Sequence, residues 1–347
     1  MLRRLAPRFL PAVLAIGLCG VSSSILPGGA GGLSLLGVAR ADDADTAVPP
    51  GVQALADALK DKDADVRKNA ALSLGRYGEK AVSAIPALIE ALKDGAVDVR
   101  GAAAVSLGRI GPIAKDAAMG LADLLNDKQA DVRGAAALAL LRIGKGANAA
   151  VPALLEATKA GDPVTAVYAS GTLVVLDETP DPHVEAVAEA LTDKKPEVRG
   201  AAAYVLGELG PLAKAAIPAM LRAMKDEDVT VRRSVAEALV EMGTAAAEVV
   251  SDLAACLRDS DAAVRTQIVM ALAAIGPDAR TAVPDLIEVT KDKTVDVRGA
   301  AVYALGEIGL VDKTVVDAIV KALKDDDADV RKAAALALGK LEQPDNQ

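Results

Sequence analysis

The sequence predicts an all-α solenoid of about nine helical-hairpin repeats of equal length, on three observations. The dipeptide Val-Arg recurs with its arginine at Arg67, Arg100, Arg133, Arg199, Arg232, Arg265, Arg298 and Arg331, always separated by the step from Arg67 to Arg100 or by a multiple of it. Within one period, apolar residues fall at helical spacing twice: Ile85, Leu88, Ile89 and Leu92, then Val99, Ala103, Ala104, Leu107 and Ile110. A glycine then closes the second run, at Gly78, Gly111, Gly144, Gly210, Gly243, Gly276 and Gly309. This fixed period overrides the two or three globular domains that 347 residues would otherwise suggest. A lone hairpin of this size cannot bury its apolar stripe and must stack on a neighbour.

In chain order, the first segment reads as a targeting leader rather than as part of the fold. Arg3, Arg4 and Arg8 precede a run from Phe9 to Val21 without a charge, and uncharged residues continue to Ala39. Ala39 and Ala41 place small residues where a signal peptidase inspects the chain, and Asp42-Asp43 follow, so residues 1–41 are expected to be a signal peptide and 42–50 a linker. The expectation is export to the periplasm or the extracellular space. Retention of the leader would instead make it a membrane anchor, although Pro11, Pro27 and two Gly-Gly pairs suit a continuous spanning helix poorly. Losing the leader removes four arginines and no acid, which moves the formal charge from −9 to −13. An acidic chain with no Trp, one Phe and four Tyr is poorly matched to a phosphate backbone or to base stacking, so no nucleic-acid partner is expected. Cys256 would be the one cysteine left, which excludes an internal disulfide, and its repeat position reads as buried.

Residues 51–347 divide into nine periods of 33 without insertion. Asp63, Asp162, Asp228, Asp261, Thr294 and Asp327 stand four residues before the arginine position as N-caps of the second helix. Pro163 and Pro196 suit its first turn, where a missing N–H costs nothing. The closing glycines are expected in the left-handed conformation that helix C-termini favour. Pro86, Pro152, Pro218 and Pro284 mark the start of the first helix in alternate repeats. Mid-helix glycines at Gly75, Gly108, Gly207, Gly306 and Gly339, and a second set at Gly101, Gly200 and Gly299, predict close approach of neighbouring helix backbones.

The repeating arginine lies on the apolar stripe, so its guanidinium needs a partner. Six residues before each stands an aspartate: Asp61, Asp94, Asp127, Asp193, Asp226, Asp259, Asp292 and Asp325. These predict a ladder of charge-assisted hydrogen bonds, within or between repeats. In the irregular fourth repeat, about 150–182, both are absent together, replaced by Ala160 and Ala166, as loss of a mutually dependent pair would leave them. That break, with the loop from Asp177 to His183, suggests a hinge.

Nine residues after the arginine, the repeats stop agreeing. That register reads Arg76, Arg109, Arg142, Val175, Glu208, Glu241, Ala274, Glu307 and Lys340, and four residues earlier it reads Leu72, Val105, Leu138, Gly171, Tyr204, Glu237, Met270, Tyr303 and Leu336. Helical geometry turns both registers away from the arginine stripe. The candidate partner-binding residues are therefore Arg76, Arg109, Arg142, Tyr204, Glu208, Glu241, Tyr303 and Glu307.

The unit Leu88-x3-Leu92-x-Asp94-x4-Val99-Arg100-x2-Ala103-Ala104-x2-Leu107-Gly108-x-Ile110-Gly111 resembles the short HEAT-like repeats of the phycobilisome-lyase type, over essentially all of 51–347. The resemblance implies a right-handed superhelix whose second helices line a concave groove, and an interaction scaffold as the commonest role. It also implies a second reading, a lyase-like or chromophore-handling factor, which export and the lack of a clustered acid-base constellation disfavour. The paired His-Glu motifs of HEAT-like di-iron hydroxylases are missing, since His183 is the one histidine and reads as a solvent-facing helix-start residue. Asp61-x-Asp63-x-Asp65 and Asp325-Asp-Asp327-x-Asp329 begin like calcium loops, but Val66 and Val330 replace the turn glycine and Leu72 and Leu336 the closing glutamate. The expectation is a non-enzymatic scaffold with no cofactor, no metal and no catalytic residue. It would bind a protein or peptide partner and have no membrane contact beyond a retained leader.

Overall fold

The computed structural model describes residues 49–159, 161–176 and 181–341. The leader, most of the linker, Ala160 and the loop segment 177–180 lie outside the described residues. Among the described residues each repeat is a helical hairpin. The second helices are α2 Ala64–Tyr77, α4 Val97–Ile110, α6 Ala130–Ile143, α8 Pro163–Leu176, α10 Pro196–Leu209, α12 Val229–Met242, α14 Ala262–Ile275, α16 Val295–Ile308 and α18 Ala328–Leu341, all 14 residues long. The first helices are α1 Pro50–Ala58, α3 Ile85–Ala91, α5 Ala118–Leu124, α7 Val151–Ala157, α9 Asp181–Ala190, α11 Ile217–Ala223, α13 Val250–Cys256, α15 Val283–Val289 and α17 Lys313–Ala322. The chain is an all-α repeat solenoid. The described residues divide into two compact units, one ending at Thr165 and the other beginning at Ala166.

Six closing glycines are not in the left-handed helical conformation the sequence suggests. Gly78, Gly111, Gly144, Gly210, Gly243 and Gly276 have φ between 50° and 79° but ψ between −132° and −146°, a region that a Cβ forbids. Each leads directly into a seven-residue 3₁₀ segment, as in Gly78–Ala84, that delivers the chain to the next first helix. These segments bury one alanine in register, Ala81, Ala114, Ala147, Ala213, Ala246 and Ala279, all fully inaccessible. Gly309 alone adopts the left-handed form, at φ 68° and ψ 20°, and its chain continues to α17, whose N-cap Asp312 accepts from the Thr314 and Val315 N–H groups.

The start signals fare unevenly. Asp63, Asp228 and Asp261 cap their helices as expected, and Pro163 and Pro196 occupy first positions. Asp327 accepts the Asp329 N–H at 2.8 Å. Thr294 holds the cap position without a side-chain bond, and Asp162 is diverted to the ladder.

That ladder runs between repeats. Arg67 donates Nε and Nη2 to the two oxygens of Asp94, 27 residues ahead, at 2.7 and 2.8 Å, and Nη1 to the backbone carbonyl of Asp61 in its own repeat at 2.9 Å. The Asp94 carboxylate also accepts the Ala96 N–H, so it locks its own turn while gripping the preceding repeat. Arg100 with Asp127, Arg199 with Asp226, Arg232 with Asp259, Arg265 with Asp292 and Arg298 with Asp325 repeat this forked geometry. The arginine fork holds Asp94, Asp127 and Asp325 below the ordinary carboxylate range. Burial alone would push Asp226 and Asp292 upward, but their arginines and backbone donors outweigh it.

This geometry corrects the reading of the fourth repeat. Ala160 and Ala166 are not a lost mutual pair, because their positions belong to two different bridges, one to Arg133 and one to Asp193. The first is repaired: Arg133 Nη2 donates to Asp162 at 3.0 Å, and Thr165 Oγ1 donates to the same carboxylate at 2.6 Å. The second stays open. The Asp193 carboxylate accepts the Lys195 N–H at 2.8 Å and has no cationic partner among the described residues.

The glycines also divide. A Cβ on Gly75 would lie 2.9 Å from the Cα of Ser106, on Gly108 2.8 Å from that of Ala139, on Gly207 3.1 Å from that of Ala238, and on Gly306 2.9 Å from that of Ala337. Backbones of successive second helices meet at those four points. At Gly101 and Gly299 the added atom would meet only a valine methyl at 3.9 Å, so these two do not mark close approach, and Gly339 faces open space. Cys256 is half-buried rather than fully enclosed; burial and the nearby Asp259 and Asp252 push its thiol up.

Candidate partner-binding surface

With the ladder arginines gripping the next repeat, residues nine positions on project from the far side of each second helix. In the N-terminal half this row is Arg76 on α2, exposed, and Arg109 on α4 and Arg142 on α6, both half-buried. Burial lowers the pKa of Arg109, and the charges of Arg142 and Arg76 lower it further. The three guanidinium groups therefore share one electrostatic neighbourhood. Neither Arg76 nor Arg109 has an acidic partner among the described residues, in contrast to the ladder arginines on the same helices. One turn earlier, Leu72 and Val105 are partly exposed and Leu138 is buried, which gives the row an apolar border.

The C-terminal half presents the opposite sign. Tyr204, Glu208 and Glu241 line one concavity of about 310 Å³, together with Gly207, Ser234, Glu237 and Ala238. Tyr204 packs edge-on against Tyr168, ring centroids 6.5 Å apart, and donates its hydroxyl to Glu208. Glu237 remains open to solvent on one side, yet desolvation and then the charges of Glu241 and Glu208 raise its pKa above the usual carboxylate value. Glu237 was not among the candidate residues. It occupies the Tyr204 register one repeat on, and that register was the available signal.

Tyr303 and Glu307 do not line this concavity. Tyr303 donates to Glu307 and is pushed up to about 12 by burial and then by that carboxylate, which also receives Lys340. The eight candidates thus form three clusters: a basic row, an acidic concavity and a Tyr-Glu-Lys group. The pairs Tyr204 with Glu208 and Tyr303 with Glu307 share one i, i+4 geometry on α10 and α16.

His183 lies half-buried near the start of α9. Among the described residues no three His, Cys, Asp or Glu side chains converge to hold a metal. The acid run at 61–65 is engaged locally instead: Asp61 accepts the Asp63 N–H, and Asp63 accepts from Asp65 and Val66. The stretch Ala130–Ala157 is long and apolar enough to cross a membrane by composition, but the glycine turn at Gly144 interrupts it and Leu140, Ile143 and Leu154 are buried in the stack.

No curated protein matches the chain. Among solved structures, an engineered protein is similar at 24% identity with a TM-score of 0.45, over 84% of this chain and 88% of that one. Kap95p, in a structure of its binding to RanGDP, is similar at 15% identity with a TM-score of 0.45, over 84% of this chain and 48% of Kap95p, so the match spans about half of that protein. Models of HEAT repeats match residues 34–108, 85–171, 184–273, 250–314 and 283–346, in keeping with the repeated hairpins and their bracing, and the chain belongs to the HEAT repeat family.

Proposed function

We propose that this chain is an exported, non-enzymatic scaffold that holds a partner protein or peptide against the far sides of its second helices. HEAT-repeat solenoids typically serve protein-protein interaction rather than catalysis. The observation that carries the reading is the contrast between two sets of charges on the same helices. Ladder arginines are satisfied internally, whereas Arg76 and Arg109 stand beside a third like charge with no acid to neutralise them, and Glu208, Glu237 and Glu241 crowd one concavity. Like charges held together raise the energy of the free protein and favour an oppositely charged partner. The reading includes a leader at 1–41, a linker at 42–50 and a periplasmic or extracellular location, supported by the charge pattern of the N-terminal segment.

Crosslinking the tagged protein in its native envelope, beside the Arg76→Glu, Arg109→Glu, Arg142→Glu variant, tests it. One or more protein partners are expected with the parent, with at least one lost from the variant. Absence of any protein crosslinked above a tag-only control overturns the scaffold reading, and visible absorbance from a co-purified pigment would turn it toward chromophore handling.

A further inference from the structure

We propose that the first and last repeats carry the two halves of one interface, and that a second copy of this chain docks its first repeat on the last repeat of another, head to tail. The junction between the first two repeats is the template. There α2 is held by three contacts: Arg67 forks onto Asp94 at 2.7 and 2.8 Å, Lys68 donates to Asp98 at 2.6 Å, and Gly75 lies against the backbone of Ser106, whose hydroxyl donates to the Ala71 carbonyl at 2.7 Å. In the same registers α18 carries Arg331, Lys332 and Gly339, and Ala-Asp-Val-Arg-Lys opens both helices. The first repeat, for its part, carries Asp61, Asp65 and Ser73 in the registers of Asp94, Asp98 and Ser106. Each end therefore holds the residues that the other lacks.

Both halves are uncovered among the described residues. Arg331 uses only Nη1, on the carbonyls of Asp325 and Asp326 at 2.6 and 2.8 Å, and its Nε and Nη2 reach no carboxylate there. Lys332 turns back onto Asp329 in its own helix at 2.7 Å. A Cβ on Gly339 would meet nothing within 4 Å. Apolar surface accompanies these groups: Leu323 is 37% exposed, although Leu92, Leu125, Leu191 and Leu257 in its register are at most 4% exposed. At the other end the Asp61 carboxylate accepts the Asp63 N–H at 2.8 Å and meets no cation. Val66 is 41% exposed, whereas the valines before the other seven ladder arginines are at most 1% exposed. A repeat stack normally closes with polar outer faces. Here the end faces keep the apolar residues and the fixed charges of an internal junction, with opposite signs on the two ends, so the surface that complements either one is the other. A contact between unlike faces leaves one of each open on a pair, so further copies can add.

The test is sedimentation equilibrium on the full chain as purified from cells, with any tag removed. The weight-average mass is expected to rise with concentration. Arg331→Asp and Asp61→Arg should each weaken association tenfold or more, because the first sets acid against acid at the contact and the second sets arginine against arginine. An equimolar mixture of the two variants should recover association, since Arg331 of one variant then meets Asp61 of the other. Arg222→Asp makes the same charge change at an exposed site on α11 and should leave association unchanged; circular dichroism checks that each variant is folded. Association lost in only one of the two end variants would mean a symmetric pair of like faces and overturns the proposal, as does a mixture that fails to recover or an equal loss in Arg222→Asp. A protein that stays monomeric at every concentration overturns it too, and if removal of residues 342–347 then permits association, the protein's own terminal segment is the occupant. This surface is separate from the basic row and the acidic concavity, so its failure leaves the scaffold reading standing.

Discussion

At Gly108 a single methyl group would stand 2.8 Å from the Ala139 Cα, whereas at Gly101, seven residues earlier on the same helix, it would meet a valine methyl at 3.9 Å. Alanine is a better helix former than glycine by about 1 kcal/mol, and forcing an atom into a packed interface costs about 1–3 kcal/mol. Gly108→Ala should therefore destabilise the stack by about 1 kcal/mol or more, and Gly101→Ala should stabilise it by up to about 1 kcal/mol. Thermal melts of the two variants check this, and a shift of the same sign in both would contradict it. From sequence the two glycine sets were indistinguishable, because a helical wheel gives the flank of a residue but not the distance to the next helix. Glu237 carries a second residue-scale expectation. Its folded pKa is raised above 4.5 by desolvation and by Glu241 and Glu208, so its ionisation opposes folding. Glu237→Gln should raise the melting temperature at pH 7. The gain should shrink as pH falls through the raised value and vanish below 4.5, where the glutamate is neutral in both states. A gain that is unchanged below pH 4 would show that charge is not its cause.

Elements are joined by bridges that each reach one repeat ahead, and this direction was the part of the ladder that spacing alone left open. Aspartate six residues before arginine is compatible with bonding inside one repeat. In the structure the carboxylate of that aspartate serves the preceding arginine and only its carbonyl serves its own. The identity of the paired residues was legible because both recur with the period, but their partnership was set by three-dimensional stacking. The 3₁₀ segments are illegible in sequence for a related reason: a seven-residue run such as Gly144–Ala150 has no apolar stripe long enough to show a period, only a glycine and two buried alanines. The open bridge at Asp193 gives an expectation at this scale. Ala166→Arg places a guanidinium where the other repeats have one, facing a half-buried carboxylate that has only a backbone donor. A forked ionic hydrogen bond should add about 1 kcal/mol after the cost of ordering the side chain. The melting temperature should rise by about 2 °C, and amide exchange should slow in α8 and α10. An Ala166→Arg, Asp193→Asn double variant should lose the gain; if it does not, the new arginine stabilises by some other contact.

For the whole molecule, a stack in which every bridge reaches from one repeat to the next is indifferent to how many repeats it holds, provided register is kept. Nearly all of the fold was legible in that register, whereas the candidate surface was legible only as a list of positions: the period says where repeats diverge, and clustering into a basic row and an acidic concavity depends on side-chain reach. The modular reading has a sharp consequence within the C-terminal half. Excising residues 243–275 removes one repeat, with its Asp259 and Arg265, and brings Asp292 to the position beyond Arg232 that Asp259 now fills. Gly276 would then follow Met242 as the closing glycine of α12, with its 3₁₀ segment intact. The shortened chain should keep its ellipticity per residue and melt cooperatively, at a somewhat lower temperature because one interface is gone. Excising only residues 243–259 deletes about half a repeat, sends every downstream apolar stripe out of phase and leaves Arg232 without a carboxylate. That chain should lose helical signal and expose apolar surface to a hydrophobic dye. Equal damage from the two excisions would mean that the repeats depend on long-range contacts that a nearest-neighbour stack does not have.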